Sequence, residues 1–155
     1  MYYYLAGSGS RSFDPKVHLS AVEASTDLVR ERLYEYGSEL ILVTGMAKGW
    51  DRWIADLAID HSIPYVACVP SLGYGQYYWK DEYDAYERYL RLAKEVRYTS
   101  LKGLYIGGVH VNFLRNQEMV DLADEFIVFD AGSSGTRDCV RRIRQKGVPY
   151  SVYTA

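Results

Sequence analysis

Five short apolar runs, each separated from the next by a longer stretch that includes a segment of helical period, constrain what this chain can fold into. Residues 2–6, 40–44, 65–69, 125–129 and 148–152 are rich in Val, Ile, Leu or Tyr, as strands buried on both faces should be. Residues 96–98 form a weaker sixth run. Between the runs, residues 21–36 put Ala21, Ala24, Leu28, Val29, Leu33 and Tyr36 on one helical stripe, and Gly37 follows as a C-cap. Residues 50–61 repeat the design with Trp53, Ile54, Leu57 and Ala58, and the Ser62-Ile63-Pro64 turn leads back to a strand. Further helices are expected over 81–93, 113–122 and 136–146. Alternation of this kind predicts an α/β chain, a three-layer α/β/α arrangement around a mostly parallel sheet of five to six strands. At 155 residues and 48% hydrophobic, the chain suits one domain over residues 1–155.

Net charge and cysteines narrow the function classes. A formal charge of -2 lacks the basic footprint of a protein that holds duplex DNA by its phosphates, so nucleic acid is an unlikely partner. Cys68 and Cys139 lie far apart, with no CxxC pair and no His/Cys cluster at metal spacing, so neither a disulfide framework nor a metal site is expected. No segment approaches membrane-spanning length and residues 1–6 do not read as a leader, which implies a cytoplasmic protein with no membrane partner.

In an open sheet of this type ligands bind outside the carboxyl ends of the strands, so the loops after the strands carry the functional reading. After the first run come Gly7, Ser8, Gly9, Ser10 and Arg11, a glycine-serine turn ending in a guanidinium matched to phosphate. After the second come Gly45, Met46 and Gly49, bracketing a turn into the Trp50 helix. Asp51 in that helix's first turn either complements its dipole or accepts from a ribose hydroxyl. After the third, Tyr77, Tyr78 and Trp79 offer aromatic faces that can stack on a base. The chain holds 16 Tyr, and Tyr83, Tyr86, Leu90 and Ala93 share one helix face suited to core or dimer packing.

The fourth loop is the strongest signal. Residues 126–129 run through Asp130 into Gly132, Ser133, Ser134, Gly135 and Thr136, where a helix opens with Thr136 or Ser134 as its cap. Free N–H groups in that first turn favour an anion, and a phosphate would sit there. Arg115 and Asn116 begin the helix leading towards this loop, and the Gly-rich residues 101–111, with His110, read as a lid.

In order, Gly9-Ser10-Arg11, Thr44-Gly45-Met46-Ala47-Lys48-Gly49-Trp50-Asp51, Trp79, Arg115-Asn116-Gln117-Glu118-Met119-Val120-Asp121 and the segment from Asp130 to Thr136 resemble the SLOG superfamily. This is the Rossmann-like group that unites the DNA-processing protein DprA with the LOG cytokinin-activating enzymes, and the match is best to its stand-alone YpsA-like and YspA-like branch. The resemblance spans nearly the whole chain. It implies a nucleotide-derived ligand such as ADP-ribose, an NAD-like molecule or a nucleoside phosphate, with phosphate on the Gly132 to Thr136 loop and no required cofactor. It also implies a homodimer or higher oligomer.

One departure separates this chain from the LOG enzymes. Their glycine-threonine loop is followed by two residues and then a catalytic Glu, whereas Gly135-Thr136-Arg137-Asp138-Cys139 places Cys139 there. Asp138 is adjacent but points about 100° away on a helix. The leading expectation is therefore a sensor or sequestering protein. The alternatives are an N-glycosidic or nucleotide hydrolase using Asp51, Asp130 or Asp138, and DprA-like single-stranded DNA binding through Tyr77, Tyr78, Trp79 and the basic run Arg137, Arg141, Arg142, Arg144 and Lys146.

Overall fold

All five residues of strand β2 (Leu40–Thr44) and all seven of β3 (Tyr65–Ser71) are buried, so the sheet must be covered on both faces. The computed structural model, which describes residues 1–75 and 80–155, supplies that cover. The elements run β1 (Tyr3–Gly9), α1 (Leu19–Tyr36), β2, α2 (Trp50–Asp60), β3, α3 (Lys80–Leu92), β4 (Glu95–Ser100), β5 (Tyr105–Ile106), β6 (Val109–His110), α4 (Val111–Leu122), β7 (Glu125–Asp130), α5 (Ser134–Lys146) and β8 (Tyr150–Thr154). Six strands form one sheet in the order β4-β3-β2-β1-β7-β8, every neighbouring pair parallel, while β5 and β6 make a separate antiparallel hairpin.

Period-two alternation divides the core. Leu5, Leu40, Leu42, Tyr65, Ala67, Ile127 and Phe129 pack with Ala21 and Val29 of α1, Trp50, Ile54 and Leu57 of α2, and Tyr86 of α3. Their strand neighbours Ala6, Ile41, Val43, Val66, Cys68, Phe126 and Val128 pack on the opposite face with Met119 and Val120 of α4 and Cys139 and Ile143 of α5. The result is a three-layer α/β/α sandwich of the Rossmann-like kind. Each large side chain buried in it contributes about 1.5–3 kcal/mol. At the amino ends of the strands, Glu125 is held by Arg32 at 2.7 and 3.0 Å and by the Tyr3 hydroxyl at 2.8 Å.

Several boundaries differ from expectation by two residues or so, the helices expected at 113 and 136 starting at Val111 and Ser134, and three differences bear on the site. The Gly7-Ser8-Gly9 segment is the carboxyl end of β1, not a loop, because all three residues pair with β7 and Gly7 pairs with β2 as well. A Cβ on Gly7 would stand 2.3 Å from Ile54 Cγ1, and one on Gly9 2.6 Å from Trp50, so the missing side chains let α2 lie directly on the strand. The weak run at 96–98 is the centre of a full edge strand, β4. The segment over 101–111 contains the β5–β6 hairpin. No helix among the described residues is long and apolar enough to cross a membrane.

The chain steps outward from β1 through β2 and β3 to β4, then returns to the other side of β1 with β7. Strand order therefore reverses between β1 and β7. In such sheets the crevice at the carboxyl ends of those two strands is where ligands bind.

Candidate functional site

A cavity of about 910 Å³ opens at this reversal. Its walls are the end of β1, the start of α2, the first two turns of α4, the first turn of α5 and the β5–β6 hairpin. Of the residues expected at a site, Gly7, Ser8, Gly9, Ser10, Arg11, Asp51, Arg115, Asn116, Ser133, Ser134, Gly135 and Thr136 line it together. Gly45, Met46, Gly49, Asp130, Gly132 and Asp138 stand behind or beside it, and Trp79, with Tyr77 and Tyr78, lies outside the described residues.

Ser10 is fixed from three sides. Its N–H donates to Phe129 O at 3.1 Å, and its carbonyl accepts from Trp50 N–H at 3.2 Å and Phe13 N–H at 3.3 Å. Gly49 makes the α2 contact possible: it sits at φ 82, and a Cβ there would fall 2.6 Å from the carbonyl oxygens of Ser10 and Arg11. Arg11 is exposed, and its side chain makes no hydrogen bond or ion pair among the described residues.

Behind this wall, Asp51 is 5% exposed and its Oδ2 accepts from Ala47 N–H at 3.2 Å. Burial pushes its carboxyl up from an ordinary 3.8 to about 6, against the pull of Arg115, the Ala47 and Gly9 N–H groups and Arg11. Thr44 Oγ1 holds the helix start by donating to Asp51 O at 2.5 Å, and Met46 is wholly buried at φ 63 beside it. Met46 therefore shapes the turn from behind and offers the cavity no surface.

Arg115 is buried as well and is already engaged. Its Nη1 donates to Gly45 O at 2.5 Å and Cys68 O at 3.3 Å, and its Nε to Asn116 Oδ1 at 3.3 Å, so it ties α4 to the end of β2 and the middle of β3. Gly45 is needed there, because a Cβ would lie 2.6 Å from Nη1 and 2.8 Å from Asp51 Oδ2.

The opening of α5 differs in detail from the sequence reading. Its N-cap is Ser133, not Ser134 or Thr136, and Gly135 is helical. Asp130 Oδ1 accepts from Gly132 N–H at 2.8 Å, and Gly132 turns the chain at φ 87. Ser133 Oγ donates to Thr136 Oγ1 at 2.8 Å and accepts from no backbone N–H, so no side chain caps the helix. Ser134, Gly135 and Thr136 of its first turn line the cavity, and because the N–H groups of a first turn have no intrahelical partner, they and the helix dipole favour an anion there.

Asn116 Nδ2 donates to Gly135 O at 3.2 Å and to Asp138 Oδ2 at 3.1 Å, locking α4 onto α5. Asp138 also accepts from Arg141 at 2.5 Å and Arg142 at 2.9 Å, and lines a neighbouring cleft rather than the cavity. Cys139 is fully buried in the core, with Ser8 as a hydrogen-bond partner, and burial pushes its thiol up to about 11. A thiol so placed supplies no thiolate nucleophile near neutral pH.

Of the aromatic wall, only His110 stood out in the sequence. Tyr105, His110 and Phe113 line the cavity, with the Tyr105 and His110 rings edge to face at 5.2 Å. His110 is the N-cap of α4, its Nδ1 accepting from Asn112 N–H at 3.1 Å, which leaves the proton on Nε2. Two-residue strands carry no periodicity, so only the glycines at 107 and 108 hinted at a hairpin. Among the described residues no group of three or more His, Cys, Asp or Glu could hold a metal ion.

No family model matches this sequence, and no curated protein matches it. Solved structures do. DNA processing protein A from Streptococcus pneumoniae aligns over 99% of this chain at TM-score 0.66 and 20% identity, and the chain spans half of that protein. TM1055, a structural-genomics target, aligns over 96% of this chain and 72% of its own at TM-score 0.63 and 13% identity. The molybdenum cofactor binding protein of Rippkaea orientalis aligns over 100% and 78%, also at 0.63 and 13%. The likeness is one of fold: this chain shares the Rossmann-like α/β architecture of these three proteins.

Proposed function

We propose that this chain binds a nucleotide-derived small molecule of the ADP-ribose, NAD-like or nucleoside-phosphate class at the carboxyl ends of its strands, as a sensor or a sequestering protein. The observation that carries the reading is the cavity at the strand reversal, which has the uncapped first turn of α5 on one wall and the unengaged Arg11 on another. A phosphate would take the Ser134, Gly135 and Thr136 N–H groups together with the guanidinium. Asp51 would accept from a ribose hydroxyl, and Tyr105 and Phe113 would cover a base. A volume of about 910 Å³ suits a ligand of this size. Association into a homodimer or higher oligomer is part of the same reading, and light scattering tests it. Calorimetry against ADP-ribose, NAD, cyclic ADP-ribose and nucleoside monophosphates is expected to find micromolar binding of at least one. Absence of heat for all of them at millimolar ligand overturns the proposal.

A second reading, hydrolysis of an N-glycosidic or phosphoester bond, is favoured by one observation. Asp51, with its carboxyl raised to about 6, is poised to exchange a proton near neutral pH inside the cavity. Asp138, held by three donors outside the cavity, would position the opening of α5. Chromatography for a released base after incubation with a nucleotide panel tests this, and turnover unchanged in Asp51→Asn sinks the assignment. Single-stranded DNA binding ranks below both, because Arg141 and Arg142 are paired with Asp138 and Lys146 with Asp121. Salt-dependent retardation of a labelled oligonucleotide would restore it.

A further inference from the structure

A second cleft of about 670 Å³ adjoins the cavity, and Val109, Phe113 and Ser134 line both. Three guanidiniums, Arg137, Arg141 and Arg142, face it against a single lining carboxylate, Asp138. That carboxylate binds Arg141 and Arg142, and Arg142 also donates to Gln117 Oε1 at 3.0 Å, which accounts for their place in the fold. Arg137 has no such account. Its side chain is exposed and makes no hydrogen bond or ion pair among the described residues, and its Nη2 lies 3.5 Å from where a Cβ on Gly132 would stand. The other acid of this loop, Asp130, is turned onto Gly132 N–H. An arginine surplus in a concave surface holds an anion by its field and by its donor geometry.

We infer that this cleft is a second anion subsite, and that the ligand carries a second phosphate remote from the one at the cavity, reached around Phe113. The inference rests on the nucleotide reading above and narrows it: a nucleotide with a separate phosphate monoester, such as a nucleoside bisphosphate or a 2′-phosphorylated dinucleotide, rather than a simple monophosphate. One added charge-assisted contact of this kind strengthens binding about tenfold or more.

Calorimetry on the full chain compares AMP with adenosine 3′,5′-bisphosphate, and NAD with NADP, in the wild type and in the double variant Arg137→Gln/Arg141→Gln. Asp138 keeps Arg142 and Asn116 in that variant, and its unfolding midpoint confirms folding. The expected result is a preference of about tenfold or more for the doubly phosphorylated partner of each pair, collapsing to within about twofold in the variant. Binding of AMP or NAD with no such preference overturns the subsite and leaves the nucleotide reading standing. Failure of all four to bind overturns the subsite, and if ADP-ribose and cyclic ADP-ribose fail as well the nucleotide reading falls with it. A preference that survives in the variant places the second phosphate elsewhere and also overturns the subsite. Tight, salt-dependent binding of a thymidine oligonucleotide that the double variant abolishes would assign the cleft to a nucleic-acid backbone and overturn the small-ligand inference.

Discussion

Replacing Asp51 by Asn is expected to make this protein more stable at neutral pH, against the usual direction for a buried site. The folded carboxyl sits at about 6, whereas the unfolded chain ionises it near 3.8. The folded state therefore binds this proton more tightly, and the associated stability is fully present below about pH 3.8. It declines as pH rises towards 6 and is lost above. The difference corresponds to about 3 kcal/mol at neutral pH. An amide carries no charge to desolvate, and its oxygen can still accept from Ala47 N–H. Allowing about 1–2 kcal/mol for an imperfectly partnered amide N–H, Asp51→Asn should exceed the wild type by about 1–2 kcal/mol at pH 7.5 and lose that advantage by pH 4. Urea unfolding followed by tryptophan fluorescence at a series of pH values reads this directly, with a midpoint shift of about 0.5–1 M. The same substitution should weaken nucleotide binding, since a carboxylate retained at such a cost in stability marks a functional position. A stability difference between the two chains that stays flat from pH 4 to 7.5 would refute the reasoning.

Gly45→Ala drives a methyl into Arg115 and Asp51 and should cost about 2–4 kcal/mol in urea unfolding; a loss below about 0.5 kcal/mol would contradict the packing described. Gly7→Ala should cost about 1–3 kcal/mol, and because the clash is with Ile54, the double variant Gly7→Ala/Ile54→Ala should show about 1–2 kcal/mol of favourable coupling in a double-mutant cycle. Arg11→Ala should leave the unfolding midpoint within error while weakening nucleotide binding about tenfold or more, measured by calorimetry.

The layered architecture was legible because burial on both faces leaves a direct trace: residues 40–44 and 65–69 are apolar nearly throughout, and few other structures bury such short runs. That the loops after the strands gather around one cavity was legible for a related reason, since in a parallel sheet those loops all emerge at the same edge. What failed to show were roles that depend on a partner distant in sequence. Gly7 and Gly9 read as a turn because glycine is poor in strands, and only the approach of Ile54 and Trp50 explains them as strand. Arg115 stood out in the sequence by its place beside the expected phosphate loop, and three of its hydrogen bonds go to oxygens of Gly45, Cys68 and Asn116. Asp138 looked like a spare acid beside the lost Glu, and its three donors come from α4 and from one turn further along α5. The hairpin that brings Tyr105 and His110 over the cavity is too short to leave a period in the sequence.

The central claim is that the opening of α5 and the end of β1 hold a nucleotide phosphate. Backbone amide shifts of isotopically labelled protein, followed by NMR during titration with ADP-ribose and with AMP, test it most directly. The largest changes are expected at Ser134, Gly135 and Thr136, with a second group from Ser8 to Arg11. Saturating ligand that leaves those amides unmoved, or moves a cluster elsewhere on the surface, would contradict it.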